Sequence, residues 1–157
     1  MLRLDHAGVV VPDLDAAIDW YCENFDCRVA WREAPTDVDD AAIGLPGEHV
    51  RLRGAVLWAG GAYLELHEYL SPTGSAPRRV CDTGIGHIAF FSDDIRGDFG
   101  RLTARGMRFY GEPRRIASGG LTDHWWAYGE DPWGNVVQLC HHPQPDERVV
   151  AGSDQNT

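Results

Sequence analysis

From Leu2 to Val11 the chain reads LRLDHAGVVV, an apolar, β-branched run that predicts a strand ending at Pro12, which has no N–H to give to a ladder. The period then changes. Leu14, Ala17, Ile18, Tyr21 and Phe25 recur at helical spacing, predicting a helix over 14–25 with Asp13 as its N-cap. Three strand-like runs follow: CRVAWRE, VRLRGAVLWAG and AYLELHEYL, with Gly60 and Gly61 turning the last pair. The stretch 33–48, acidic and marked by Gly and Pro, reads as a loop, and 70–83 reads as a linker.

The pattern then starts again. LDHAGVVVPDLDAA from position 4 lies over IGHIAFFSDDIRGD from position 85, so that His6 falls on His87, Asp13 on Asp94 and Leu14 on Ile95. An internal repeat of this kind sets the fold before any single residue is interpreted. In the second copy Ser92 to Asp94 offer the cap, Ile95, Phe99 and Leu102 form the apolar stripe, and Gly106 stops the helix. MRFYGEP, DHWWAYGED and NVVQLCHH are its strand runs, with DPWGN at 131–135 as the turn. Each half is therefore β-α-β-β-β, module one over 2–70 and module two over 84–142, within one α+β domain spanning 1–142. Residues 143–157 are polar without periodicity and are expected to be a flexible tail.

Composition narrows the function. With 24 acidic against 14 basic side chains the net charge is −10, and no basic stripe is present, which argues against nucleic acid and anionic membranes. No apolar stretch approaches a membrane span and no signal peptide opens the chain, so a cytoplasmic protein is expected. Cys22, Cys27, Cys81 and Cys140 form no CxxC pair and read as reduced, mostly buried thiols. A lone histidine in an apolar run such as GIGHIAFFSDDI is ordinarily a satisfied core imidazole. The repeat changes that reading, because His6 and His87 occupy one register.

The two β-α-β-β-β units, a histidine on the first strand of each, an acid in the LEL stretch and the DPWGN hairpin together resemble the vicinal oxygen chelate superfamily over roughly residues 2–142. That group includes glyoxalase I, methylmalonyl-CoA epimerase, extradiol dioxygenases and the fosfomycin and bleomycin resistance proteins. The resemblance implies sheets that curl into an open cup, with the halves pairing within one chain or across a homodimer, the latter being the expected assembly. It further implies a divalent metal ion (Zn, Ni, Co, Mn or Fe) held by His6, Glu65, His87 and Gln138. Strand alternation is consistent with this: Glu65 shares a face with Tyr63 and His67, and Gln138 with Val136 and Cys140. Look-alikes usually carry glutamate at the Gln138 position, and methylmalonyl-CoA epimerases can pair a glutamine in the first half with a glutamate in the second. Here amide and carboxylate are exchanged between halves.

Two imidazoles, one amide and one carboxylate leave a divalent ion about one net positive charge, which favours a small substrate chelating through neighbouring oxygens. The function expected is an epimerase, isomerase or lyase working through a stabilised enolate, with Glu65 or Glu48 as the base. Glu48, in LPGEHV, lies near an acid thought to be the base in methylmalonyl-CoA epimerases. Two alternatives stay open. His6, His87 and Glu65 also form a two-histidine, one-carboxylate set suited to an extradiol-type dioxygenase, and Trp125, Trp126 and Trp133 suit a metal-free binder of the antibiotic-resistance kind. His67, His141 and His142 are further candidates for substrate contact, while Arg51 and Arg53 read as a solvated face or an anion site.

Overall fold

The computed structural model describes residues 4–75, 79, 81, 83–117 and 123–142 of the 157. The chain divides into two compact units, Met1–Arg78 and Arg79–Thr157. The first contains β1 (His6–Val10), α1 (Leu14–Phe25), β2 (Arg28–Asp37), β3 (Arg51–Trp58) and β4 (Tyr63–Ser71). Its sheet runs β1-β4-β3-β2, with β1 parallel to β4 and the other pairs antiparallel. β4 is thus a central strand.

α1 begins where the sequence places it, because the Asp13 carboxylate accepts from the N–H of Ala16, and it ends at Asp26 in the left-handed region (φ 53°). Its buried stripe of Leu14, Ala17, Ile18 and Tyr21 faces a sheet surface that buries Ala55, Leu57, Leu64 and Leu66. Complete burial of each large aliphatic side chain contributes about 1.5–3 kcal/mol. A polar clamp fixes where the helix sits. Arg53 on β3 donates to Asp15 of α1 at 2.7 Å and to Glu68 of β4 at 2.8 Å, and Glu68 also accepts the N–H of Leu14 at 2.8 Å.

The second unit contains β5 (Ile88–Phe91), α2 (Ile95–Ala104), β6 (Arg108–Phe109), β7 (Arg114–Arg115), β8 (Trp125–Glu130) and β9 (Val136–His141). The path is β5-β9-β8-β6, with β7 also on β8 and β5 parallel to β9. Asp94 caps α2 by accepting from the N–H of Gly97, and Gly106 (φ 91°) follows its end. The DPWGN turn is built on buried Asp131, whose carboxylate accepts from the N–H groups of Trp133 (2.9 Å) and Asn135 (2.8 Å) and from the Asn135 amide (2.8 Å), while Gly134 takes a φ of 88°.

Among the described residues both units are open mixed sheets with a single helix each, an α+β architecture. Three boundaries differ from expectation. β2 continues to Asp37, through part of the stretch read as a loop, because a bulge between Glu33 and Thr36 steps over Pro35, which has no N–H to donate. MRFYGEP gives only the two-residue β6, since Gly111 and Pro113 break the run and pairing resumes at β7. β4 extends to Ser71, into the stretch read as a linker. The expected tail at 143–157 lies outside the described residues. Among those residues no helix is long and apolar enough to cross a membrane. The four cysteines are free thiols, and burial pushes that of Cys27 up to about 12.

Candidate functional site

In the first unit, side chains directly across a ladder project to one face of the sheet. Gly8 of β1 and Val56 of β3 both stand across from Glu65 of β4, and Val10 and Gly54 stand across from His67. The other face belongs to α1, so this one is left to carry chemistry. On it His6 Nε2 lies 3.2 Å from Glu65 Oε2 and His67 Nε2 lies 3.7 Å from Glu65 Oε1. The carboxylate therefore sits between two imidazoles. His6 Nδ1 is held 2.9 Å from the carboxylate of Asp5, and that hydrogen bond, together with the charge of Glu65, raises the His6 pKa against the opposing effect of burial. Trp58 and Tyr63, in edge-to-face contact at 5.1 Å, and Trp31 add exposed aromatic surface to the same face.

The second unit repeats the register with different residues. Glu65 is across the parallel ladder from Gly8, two residues beyond His6; Gln138 is across from Ala89, two residues beyond His87. Tyr128 of β8 stands opposite Gln138 and receives the His87 ring edge-on at 5.0 Å. The counterpart of His67 is Cys140: the N–H of Val11 donates to His67 O at 2.9 Å, and that of Ser92 donates to Cys140 O at 2.8 Å. Across from Cys140 stands Trp126, where the first unit has Gly54 opposite His67. Large and small have changed places across the ladder.

Donor chemistry in the first unit suits a divalent ion. Two adjacent donors bonded at about 2.0–2.2 Å to one tetrahedral or octahedral ion lie roughly 2.8–3.6 Å apart, and the separation of His6 Nε2 from Glu65 Oε2 falls in that interval at 3.2 Å. Asp5 on the other ring nitrogen supplies the carboxylate–histidine support that fixes a ligand's tautomer. Among the described residues no three His, Cys, Asp or Glu side chains are already gathered as a ligand cluster.

The remaining candidates fall elsewhere. Glu48 is exposed and lies ahead of Arg51, beyond the end of β3 that is farther from Val56, so the sheet does not bring it beside Glu65. Arg51 pairs with Asp37 and Arg53 belongs to the helix clamp, so both are committed to structure. His141 Nδ1 is 2.8 Å from the Ser92 carbonyl, and His142 is buried against His124 and Phe91. Trp125 lies under the Arg96 guanidinium on the face opposite Trp126, and Trp133 is part of the DPWGN turn. Sequence reasoning missed Asp5, Gly54 and Tyr128. Asp5 is adjacent to His6 and Tyr128 lies in the strand run that pairs with NVVQLCHH, so both were within reach of alternation; the role of Gly54 depends on a cross-strand partner that no local pattern reveals.

Residues 3–139 match the family described as the Glyoxalase/Bleomycin resistance protein/Dioxygenase superfamily. A 2-epi-5-epi-valiolone epimerase from Actinomyces sp is 30% identical over 156 aligned positions, covering 90% of this chain and 80% of that protein. Among solved structures, a glyoxalase family protein from Bacillus cereus superposes with a TM-score of 0.73 at 24% identity, covering 90% of this chain and 94% of its own. A glyoxalase I mutant from Zea mays gives 0.65 at 25% identity over 90% of this chain and 46% of that one.

Proposed function

The chain belongs to the Glyoxalase/Bleomycin resistance protein/Dioxygenase superfamily, and on that premise we propose that it is an epimerase that moves a proton at a carbon beside a carbonyl of a small molecule. The observation that carries this reading is Glu65, a carboxylate on a central strand whose oxygens face His6 and His67. A guanidinium partner would keep such a group ionised and occupied, as Arg53 does for Asp15. Glu65 has imidazoles beside it instead, and a positioned carboxylate is one of the side chains that serve as a general base.

His6 and Glu65 of the first unit, and His87 and Gln138 at the corresponding register of the second, are the residues proposed as divalent-metal ligands. When bound, that ion supplies Lewis acidity, polarising a carbonyl and making the neighbouring C–H more acidic. The protein's own part is proton handling and exclusion of water. Asp5 holds the His6 ring so that Nε2 points to Glu65 Oε2, which leaves Oε1, on the His67 side, to take the proton. Trp58 and Tyr63 give the face an apolar border beside the carboxylate. A proton delivered from solvent to the opposite side of the flattened carbon, with the proton taken by Glu65 released to solvent in turn, inverts the configuration.

The relative's own compound, 2-epi-5-epi-valiolone, is the first substrate to test. Incubation with the purified protein in deuterium oxide, with and without added Zn, Ni, Co, Mn or Fe, is followed by NMR. Deuterium uptake beside the carbonyl together with inversion is the expected result. Oxygen-dependent ring opening, or binding without exchange across a panel of 2-hydroxy ketones and 2-substituted acyl thioesters, contradicts the reading.

A further inference from the structure

On the β8 side of the second unit is a cleft of about 350 Å³ whose lining includes Tyr110, Glu112, Arg114, Trp126 and Tyr128. We propose that it binds the polyhydroxylated ring of a neutral substrate, its aromatic wall taking the C–H face of the ring and its guanidinium and carboxylate taking the hydroxyls at the edge. This assignment rests on the epimerase reading for its place in the reaction, because Tyr128 both lines the cleft and meets the His87 ring at 5.0 Å.

The wall is aromatic by construction. Trp126 and Tyr128 alternate along β8 onto the same face, with ring centroids 5.5 Å apart and planes inclined by 59°, so they form one bent apolar surface. Tyr110 is oriented by its hydroxyl, which donates to Glu130 at 2.5 Å, and the backbone N–H of Tyr110 bonds the Tyr128 carbonyl at 2.8 Å. A volume near 350 Å³ is at the small end of ligand sites and suits one ring.

The polar groups decide the class of ligand. Arg114 stands across the ladder from Trp126 and so shares its face, whereas Arg115, facing the other way, is engaged by Asp123. Arg108 is engaged by Glu130, Arg101 by Asp98, and Arg96 lies over Trp125. Arg114 and Glu112 make no side-chain hydrogen bond or ion pair among the described residues and are not bonded to each other. A guanidinium offers only donors and a carboxylate only acceptors, and a hydroxyl needs one of each. Together they match the edge of a hydroxylated ring. A carboxylated or phosphorylated ligand would gain from Arg114 but would meet Glu112 and a chain of net charge −10. A plain hydrocarbon ring would make no use of either charged group, both of which are exposed beside the aromatic wall.

Saturation-transfer NMR and tryptophan fluorescence on the full chain test this with four probes: myo-inositol, methyl glucoside, cyclohexanol and cyclohexanecarboxylate. The two polyols are expected to bind at least tenfold more tightly than the other two, with transfer strongest to their ring C–H protons. Trp126→Ala is expected to abolish polyol binding, and Glu112→Gln and Arg114→Gln each to weaken it about tenfold; thermal melts confirm that each variant is folded. Tighter binding of cyclohexanecarboxylate, equal binding of cyclohexanol, no binding of any probe, or polyol binding untouched by all three variants overturns the proposal. Deuterium uptake into 2-epi-5-epi-valiolone separates it from the epimerase reading. If Arg114→Gln and Glu112→Gln leave KM unchanged while the wild type still exchanges, the ring site fails and the epimerase stands. If polyols bind as expected but no carbonyl compound exchanges, the epimerase fails and the ring site stands.

Discussion

Gly54 makes room for His67. The two are directly opposed on β3 and β4, and a Cβ at position 54 would lie 2.9 Å from Cδ2 and 3.3 Å from Nε2 of the imidazole. A contact of 2.9 Å is one that real Cβ atoms essentially never make, so with any larger residue there the imidazole, whose Nε2 lies 3.7 Å from Glu65 Oε1, or the strand beneath it must shift. By contrast a Cβ on Gly8 would reach no closer than 3.9 Å to Glu65 Oε2, an ordinary contact.

Gly54→Ala is therefore expected to lower proton exchange by about tenfold or more while costing about 1–3 kcal/mol of stability through crowding. Gly54→Ala combined with His67→Cys, which moves the pair toward the small-against-large arrangement of Cys140 and Trp126, is expected to recover the stability but not the exchange. Urea denaturation and deuterium uptake measured on the same samples check both parts. Gly8→Ala serves as the control and should leave exchange within about threefold of the wild type, a change under 1 kcal/mol in barrier terms.

The clamp at the start of α1 gives a second expectation. Arg53→Met leaves Glu68, only 14% exposed, without its guanidinium partner and should destabilise the chain by about 1–3 kcal/mol. The change should also appear in the pH profile. The hydrogen bond and charge of Arg53, with a smaller contribution from Arg32, hold the Asp15 carboxyl below the usual range although burial opposes them. A depressed folded-state pKa contributes stability that is complete above the unfolded carboxylate value, about 3.9, and is lost as pH falls through the lower folded value. Stability of the wild type should therefore fall more steeply than that of Arg53→Met in acid below that point, as measured by urea midpoints from pH 5 downward.

The DPWGN turn should prove equally specific. Asp131 is 4% exposed and serves three donors, so Asp131→Ala strands two backbone N–H groups and is expected to cost about 2–4 kcal/mol. Asp131→Asn keeps an acceptor oxygen and should lose less. Chemical denaturation of the two variants gives the comparison, and equal losses would show that the charge, not the acceptor geometry, holds the turn.

Metal content tests the proposed ligand set. In protein purified without an affinity tag, His6→Ala and His87→Ala are each expected to reduce bound divalent metal by elemental analysis, while Cys22→Ser and Cys27→Ser leave it unchanged. Loss in a cysteine variant but not in a histidine variant would place the ligands elsewhere.

Much of this architecture was legible because it is written locally. Asp13 and Asp94 announce the helix starts through caps, Gly106 follows the second helix, and the offset between His6 and His87 carries over into the ladders, where Glu65 and Gln138 each stand across from the position two residues beyond the histidine. What was not legible depends on partners distant in sequence. Arg53 looked like a solvated or anion-binding arginine until Asp15 and Glu68 were brought to it by packing. Glu48 looked close to the chemistry in sequence, but the length of β3 separates it from the position facing Glu65. Pro35 hid the continuation of β2 because a bulge accommodates it, and the opposition of Gly54 and His67 could be found only from the strand register.

The central claim, that the Glu65 carboxylate moves the proton, is tested most directly by deuterium uptake into 2-epi-5-epi-valiolone catalysed by wild type, Glu65→Gln and Glu65→Gln with Gln138→Glu, with metal content measured alongside. Glu65→Gln is expected to lose exchange by at least about a hundredfold, in the range ascribed to a positioned base, and to lose metal to a smaller degree. The double variant, which restores the carboxylate in the second unit, is expected to regain metal while exchange stays low. Retention of both metal and exchange by Glu65→Gln would contradict the account, since Glu65 would then be neither ligand nor base.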